Sequence, residues 1–585
     1  MDPLVGAFGA QAVRPCPARF PFTVIPTKAL LRSSLPAILL LASSAALFAQ
    51  KLPTPDRDDG AIKLPPGFRA VVVADDLGPL RFIAVAPNGD LYAKMRTVGI
   101  IALRDTNGDG RAEERAAFGS GGGTGIAIQG GFLYHSTSTS VLRYRLTPGE
   151  LVPRGEPETM VTGLPDERQH NAKSFAFDEA GMLYVEVGSP SNGFGQPDRV
   201  RGAKGGDPTE FFKKHGGFWR FDPNRLNQTQ ADGYRFSTGH RHVLSIARQP
   251  VSKQFFVVMM GRDQLNTVAP DFYTDEDNAE GPAEELHLLR EGGVLGWPFT
   301  YYDFRRKARM VAPEYGGDNN KQAEAGKYPE PLVTFPAHWA PLQMAFYSGD
   351  QFPAKYRGGA FVAFHGSWNR APKPQKGYNV AFVPFDEKGM PTGGYEVFAD
   401  GFAGRDEVLT PRDARFRPGG LAVGPDGSLY VADTVRGRVW RIFYTGEAPP
   451  AASPSPTPTP TASLPTPSTA APAADRGETV YLEVCALCHM PDGAGVPNMQ
   501  PPLTKTGMLS GDPTALIRLV LYGPDAVLPK NRPAYQNPMP ELSSLTDEEI
   551  AASLNYARRK FAGIESVLTP EQVRAERGKT PKPGR

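Results

Sequence analysis

One local pattern recurs six times before residue 445 and restricts the fold more than any other feature of the chain. FIAVAPNGDLYAKM runs from Phe82 to Met95, FAFDEAGMLYVEVG from Phe175 to Gly188, and GLAVGPDGSLYVADT from Gly420 to Thr434. Looser copies start at Gly125 (GIAIQGGFLYHSTS), Leu244 (LSIARQPVSKQFFVVMMG) and Gly358 (GGAFVAFHGSW). Each joins a short alternating strand to a turn of Gly, Asn or Asp, then to a second strand rich in Leu, Tyr and Val. That is a β-hairpin signature. Recurrence at irregular intervals of about forty to a hundred residues predicts a six-bladed β-propeller with loop insertions over residues 60–445. A β-sandwich with similar hairpins is the alternative.

The propeller pattern stops at an uncharged run of Pro, Ala, Ser and Thr from Ala448 to Ala474, with Pro454, Pro456, Pro458 and Pro460 at alternate positions. Such a segment cannot bury a core, so residues 446–474 read as an extended linker. Beyond it the pattern turns helical. DRGETVYLEVCALCH (Asp475 to His489) and DPTALIRLVLYG (Asp512 to Gly523) carry apolar residues at helical spacing. In LTDEEIAASLNYARRKF (Leu545 to Phe561), Thr546 is a helix N-cap and Asp547, Glu548 and Glu549 fill the first turn. Ile550, Leu554 and Ala557 form an inward stripe. The reading is multi-domain: an all-β six-bladed propeller, then an all-α domain over 475–565 and a polar tail over 566–585.

The first 49 residues read as an address. Lys28 and Arg32 precede an apolar run from Leu35 to Ala49 that ends in small residues, as a secretory signal does. The run is about fifteen residues, short of the roughly twenty that span a bilayer, although a membrane anchor is the competing reading. A periplasmic or secreted location and no stable membrane span are therefore expected. Lys and Arg number 64 against 62 Asp and Glu, a net charge of +2, which argues against a nucleic-acid partner. Of three cysteines, Cys16 lies in the leader, which leaves Cys485 and Cys488 with no disulfide framework to join.

Those two cysteines sit in CALCH, Cys485 to His489, the C-x-x-C-H pattern of covalent c-type haem attachment. Two thiols about a helical turn apart can each bond one vinyl group, and the adjacent His489 then meets the iron. A zinc site lacks a second Cys pair, and a dithiol redox site wants a βαβ setting. The sixth ligand is expected from Met539, in a Pro-flanked loop just before the last long helix; Met490, Met499 and Met508 are rivals. The segment resembles class I cytochromes c, in which a Met-Pro at that place is the distal ligand. His/Met ligation suits electron transfer rather than oxygen chemistry.

LPPGFRAVVVADDLG (Leu64 to Gly78), QHNAKSFAFDEAGMLYVEVGSPSN (Gln169 to Asn192), EGPAEELHLLREGGVLGWP (Glu280 to Pro298), FHGSWNR (Phe364 to Arg370) and ARFRPGGLAVGPDG (Ala414 to Gly427) follow one another in a shared order. In these stretches the chain resembles the soluble glucose and sorbosone dehydrogenase family, six-bladed propellers that use pyrroloquinoline quinone (PQQ). The resemblance implies that His170 is the base that takes the hydroxyl proton of a sugar. It implies that Arg241 lies over the quinone and that Arg415 and Arg417 hold the PQQ carboxylates, with Arg370 adding to them. Guanidinium groups suit carboxylates through bidentate bonding. It also implies Ca²⁺ on the backbone carbonyls of Gly281 and Pro282. Separately, Asp105, Asn107 and Asp109 in DTNGDGRAEE copy the start of an acidic calcium loop, or form a solvated turn.

Two positions depart from the family pattern. His242 stands where Asn is usual after the first Arg, and Asn369 appears near a place where the glucose enzymes carry Lys. The resulting expectation is a PQQ-dependent dehydrogenase of an aldose, polyol or aldehyde that passes electrons through the haem to an external cytochrome or oxidase. A lactonase-like hydrolase and a non-catalytic carbohydrate- or partner-binding propeller, each carrying an electron-transfer cytochrome, are the alternatives.

Overall fold

The computed structural model describes residues 52–446, apart from 97 and 168, and most of 473–579. The expected leader and nearly all of the expected linker lie outside the described residues.

Five of the six repeats are the inner strand pairs of their sheets, and the sixth supplies one inner strand of another, making six sheets in all. Their four strands run 80–85, 91–95, 100–104 and 114–118 in the first sheet, and 126–129, 132–136, 141–145 and 158–161 in the second. The third holds 175–177, 183–187, 217–221 and 234–238, with 293–294 added in parallel. The fourth holds 245–248, 255–259, 284–289 and 333–335; the fifth holds 341–346, 360–364, 379–383 and 396–399. In the sixth, 418–423, 429–433 and 439–444 are completed by 68–74, where Phe68 pairs with Tyr444. Completing the last sheet with the first strand closes the ring, and each blade keeps only a short edge.

The looser copy at Gly358 is not a complete hairpin. It is the second strand of its blade, and the first is Pro341–Phe346, whose Pro start hid the strand signal. The second strands Leu183–Val187, Phe255–Met259, Ala360–Phe364 and Leu429–Asp433 are buried throughout. Packed between neighbouring sheets, they have no solvent face, which is why they read as apolar runs rather than alternation. Side chains tie the inner strands together near the axis. Gln343 Oε1 accepts from the amides of Ile83 and Leu421, and its Nε2 donates to the Ile83 carbonyl. Aromatic rings fill the closing seam: Phe68 meets Phe352, Phe398 and Tyr356 edge-on at 4.8, 5.0 and 5.4 Å.

The C-terminal domain packs helices Ala473–Val480 and Asp547–Ala562 so closely that a Cβ on Gly477 would lie 2.4 Å from the Ala552 carbonyl. Tyr481 bridges the pair, 5.2 Å from Tyr556 and 5.1 Å from Phe561. The expected cap is present: Thr546 and Glu549 form a reciprocal capping box, and Ile550, Leu554 and Ala557 are buried. The expected polar tail is corrected. Helix Pro570–Glu576 belongs to this domain, with Leu568 and Val573 in its core and Arg574 and Arg577 bonded to Asp547.

Candidate active site and haem centre

A cavity of about 710 Å³, within the usual range for ligand sites, is lined by loops from several blades. His170 enters it from a loop at φ 52° that packs on the end of strand 183–187. There Gly188 is required, because a Cβ would stand 2.5 Å from the His170 carbonyl. The ring donates from Nδ1 to the Ser189 carbonyl at 2.6 Å, which leaves the lone pair on Nε2. Burial, then Arg241, His242 and Arg199, hold its pKa well below the ordinary histidine value. His170 is therefore a neutral imidazole at physiological pH.

Arg241 follows strand 234–238 and is fixed by Asn192 Oδ1 at 3.2 Å and by a short ion pair with Asp263. Asp263 also faces Arg199 at 3.4 Å and His338 at 3.5 Å. Despite burial, Arg241, the hydrogen bond from His338 and Arg199 hold its carboxyl far below the usual carboxylate range. Glu284 lines the same wall and accepts the amides of Gly261 and Ala340, both at 2.9 Å. Burial pushes its pKa up to about 7.

Opposite in character is a corner made of Arg81, Arg96 and His365. Burial, with Arg96 and Arg417 nearby, lowers the Arg81 pKa to about 9. Arg81 Nε and His365 Nδ1 are buried without a hydrogen-bond partner among the described residues. A buried guanidinium and an imidazole with unsatisfied nitrogens fit an anionic ligand, and PQQ, with three carboxylates, matches that chemistry.

The other expected residues are placed as follows. Arg417 stands behind the corner, donating to the carbonyls of His365 and Gly366, both at 2.7 Å. Arg370 and Arg415 do not line the cavity. The Arg370 guanidinium is buried against the Ala279 and Pro374 carbonyls and paired with Glu280, while Arg415 is exposed over the Phe416 ring. The Gly281 carbonyl accepts the Phe304 amide at 2.6 Å. Neither Gly281 nor Pro282 lines the cavity, but the Pro282 carbonyl presses on Gly261, where a Cβ would lie 2.8 Å from it. Pro282 is thus the better placed of the two for a calcium role. Asp105 and Asp109 lie with Glu113 in a partly exposed cluster.

In the helical domain, Cys485 and His489 lie on consecutive helical turns, and Cys485 is half-buried. His489 donates from Nδ1 to the Pro501 carbonyl at 2.9 Å, the outer bond that turns Nε2 toward an iron. Met539 and Met508 are both partly buried against the apolar core; Met490 and Met499 lie outside the described residues, as does the Cys488 side chain. Ala486, between the two haem cysteines, lines the same cavity as His170.

The TrAA12-like family model matches residues 62–445. The chain belongs to the TrAA12-like family. The match covers the ring of blades, and the model described as cytochrome c oxidase, cbb3-type, subunit III matches residues 472–556. The TrAA12-like propeller is similar to a solved Trichoderma reesei carbohydrate-active enzyme of family AA12 (TM-score 0.53, 19% identity, 68% of this chain and 99% of that one), which bears on fold alone. A pyrroloquinoline quinone-dependent pyranose dehydrogenase of Coprinopsis cinerea is 30% identical over 194 residues, 28% of this chain and 25% of that protein. An uncharacterized protein of Borreliella burgdorferi is 27% identical over 208 residues, 35% of this chain and 48% of that protein. The chain thus spans about half or less of these curated propeller relatives. Cytochrome c-552 of Thermus thermophilus is 31% identical over 125 residues, 18% of this chain and 95% of that protein. The C-terminal domain is a cytochrome c domain, which implies haem.

Proposed function

We propose that the chain is a periplasmic or secreted quinohaemoprotein dehydrogenase. Its propeller oxidises an aldose, polyol or aldehyde with PQQ, and its cytochrome domain passes the electrons to an external cytochrome or oxidase. The observation that carries this reading is one cavity holding both a neutral cavity-facing imidazole, His170, and a corner where the buried Arg81 Nε and His365 Nδ1 have no hydrogen-bond partner among the described residues. The Coprinopsis relative, named as a PQQ-dependent pyranose dehydrogenase, supports it.

Each residue then has a part. Arg81, Arg96 and His365, with Arg417 behind them, would hold the carboxylates of PQQ. Arg241, clamped by Asn192 and Asp263, keeps a fixed positive charge at the reacting centre, which costs no reorganisation during the reaction. His170 receives the hydroxyl proton on Nε2 while Ser189 holds the ring. When bound, PQQ supplies a two-electron acceptor and the haem a one-electron relay. Ala486 in the cavity wall brings the haem-bearing helix to the place where electrons are released. Ca²⁺ beside Pro282 belongs to the same proposal.

The test is reconstitution of purified protein with PQQ and Ca²⁺, followed by dye reduction across a panel of sugars and aldehydes. Turnover that requires PQQ supports the reading, and His170→Ala should lower it at least about a hundredfold while the haem spectrum stays intact. Lactone ring-opening without PQQ would favour a hydrolase, and sugar binding without turnover a binding propeller.

A further inference from the structure

The His242 departure acquires a meaning in three dimensions. His242 lines the cavity, and its ring stacks on that of His170 with centroids 4.7 Å apart and planes 27° from parallel. Its Nδ1 lies 3.1 Å from Oε1 of Glu186. Glu186 is fully buried in strand 183–187; Oε1 also accepts the Val243 amide at 3.1 Å, and Oε2 has no partner among the described residues. With Nδ1–H donated to the carboxylate, the lone pair of His242 sits on Nε2. That nitrogen has no protein partner among the described residues and is not sealed in the interior.

The cavity therefore holds two imidazoles side by side, both anchored through Nδ1. They differ in the anchor: a neutral carbonyl for His170, a buried carboxylate for His242. A carboxylate behind an imidazole fixes its tautomer and stabilises the imidazolium formed when the other nitrogen takes a proton. A carbonyl does so less, and like charges at this spacing prevent both rings from holding protons together.

We propose that the Glu186–His242 dyad is a second catalytic base of this cavity, able to receive the substrate proton on His242 Nε2. The inference rests on the dehydrogenase reading. Where His242 rather than His170 takes the proton, the substrate O–H bond breaks and a His242 Nε2–H bond forms. The C–H hydrogen leaves with its electron pair to the quinone acceptor, and the new imidazolium is balanced by Glu186. Asn, the usual residue at this place in the resembling family, cannot accept the proton.

The test compares wild type, His242→Asn and Glu186→Gln as holoproteins. His242→Asn should lower kcat at least about tenfold with KM within about twofold, and added imidazole should restore turnover in proportion to its free-base concentration. Glu186→Gln keeps an acceptor for Nδ1 and should lose less. Histidine-labelled ¹⁵N NMR of apoprotein supplies a readout independent of turnover: His242 should carry its proton on Nδ1. An unaffected kcat, a loss that imidazole does not rescue, or a proton on Nε2 would overturn the inference. Were wild type to show no PQQ-dependent turnover, the dehydrogenase reading itself would fail, while the NMR result would still report on the dyad.

Discussion

His489 donates from Nδ1 to the carbonyl oxygen of Pro501, 2.9 Å away, and this bond fixes the ring that would meet a haem iron. The opposite ligand is expected from Met539, which packs on the same core as its described rival Met508. Met539→Ala should keep covalent haem but lose the sulfur-to-iron charge-transfer band and fall in reduction potential. Met508→Ala should leave both unchanged. Optical spectra and a redox titration of the two variants check this.

Arg81 is a buried cation whose Nε lacks a partner among the described residues, a cost to the apoprotein. Replacing it by Met should stabilise the apoprotein by about 1 kcal/mol or more, because no buried charge is left uncompensated. The same change should weaken PQQ binding about tenfold or more, because hydrogen bonds to charged groups contribute about 1.5–3 kcal/mol. Urea unfolding and a PQQ titration on one preparation should therefore move in opposite directions.

Acid should weaken the propeller early. Burial holds His135, His215 and His240 at about 3, 4 and 3, and lowers His170 and His365 as well. Below about pH 6.5 the unfolded chain takes up protons that these folded rings refuse. Each ring that stays neutral then costs about 1.4 kcal/mol per pH unit. Glu284, raised to about 7, opposes the trend with one carboxyl against five rings. Urea midpoints should be flat above pH 7 and fall steadily from pH 6.5 to 5; a rise over that window would contradict these assignments.

Deleting residues 566–585 should destabilise the cytochrome domain by about 3–5 kcal/mol, since Leu568 and Val573 are nearly sealed in its core. Thermal melting followed at the haem band measures it. A dispensable tail would leave the melt unchanged.

The ring of blades was legible because each inner hairpin carries its own turn chemistry, as at Gly89, Gly181 and Gly427, all with positive φ. The last helix is legible too: Thr569 and Gln572 spell the capping box that the structure forms. The cavity was only half legible. His170, Arg241 and Arg417 were expected from resemblance, and the structure sets them in or behind its wall. Arg81, Arg199 and Asp263 carry no local signal, because their loops are separated by up to nearly two hundred residues and meet only on ring closure, while Glu284 and His365 sit inside stretches that carry the resemblance. Arg370 shows the reverse error: a cation in a suggestive motif that the fold uses to pin the Ala279–Glu280 turn.

The central claim is that electrons released in the propeller cavity reach the haem of the same chain. Rapid mixing of the PQQ- and Ca²⁺-loaded protein with an oxidisable sugar, followed at the haem band, tests it most directly. The expected result is haem reduction at a rate independent of protein concentration and absent without PQQ. A haem that stays oxidised while an external dye is reduced, or that is reduced only at a rate rising with protein concentration, would contradict the account.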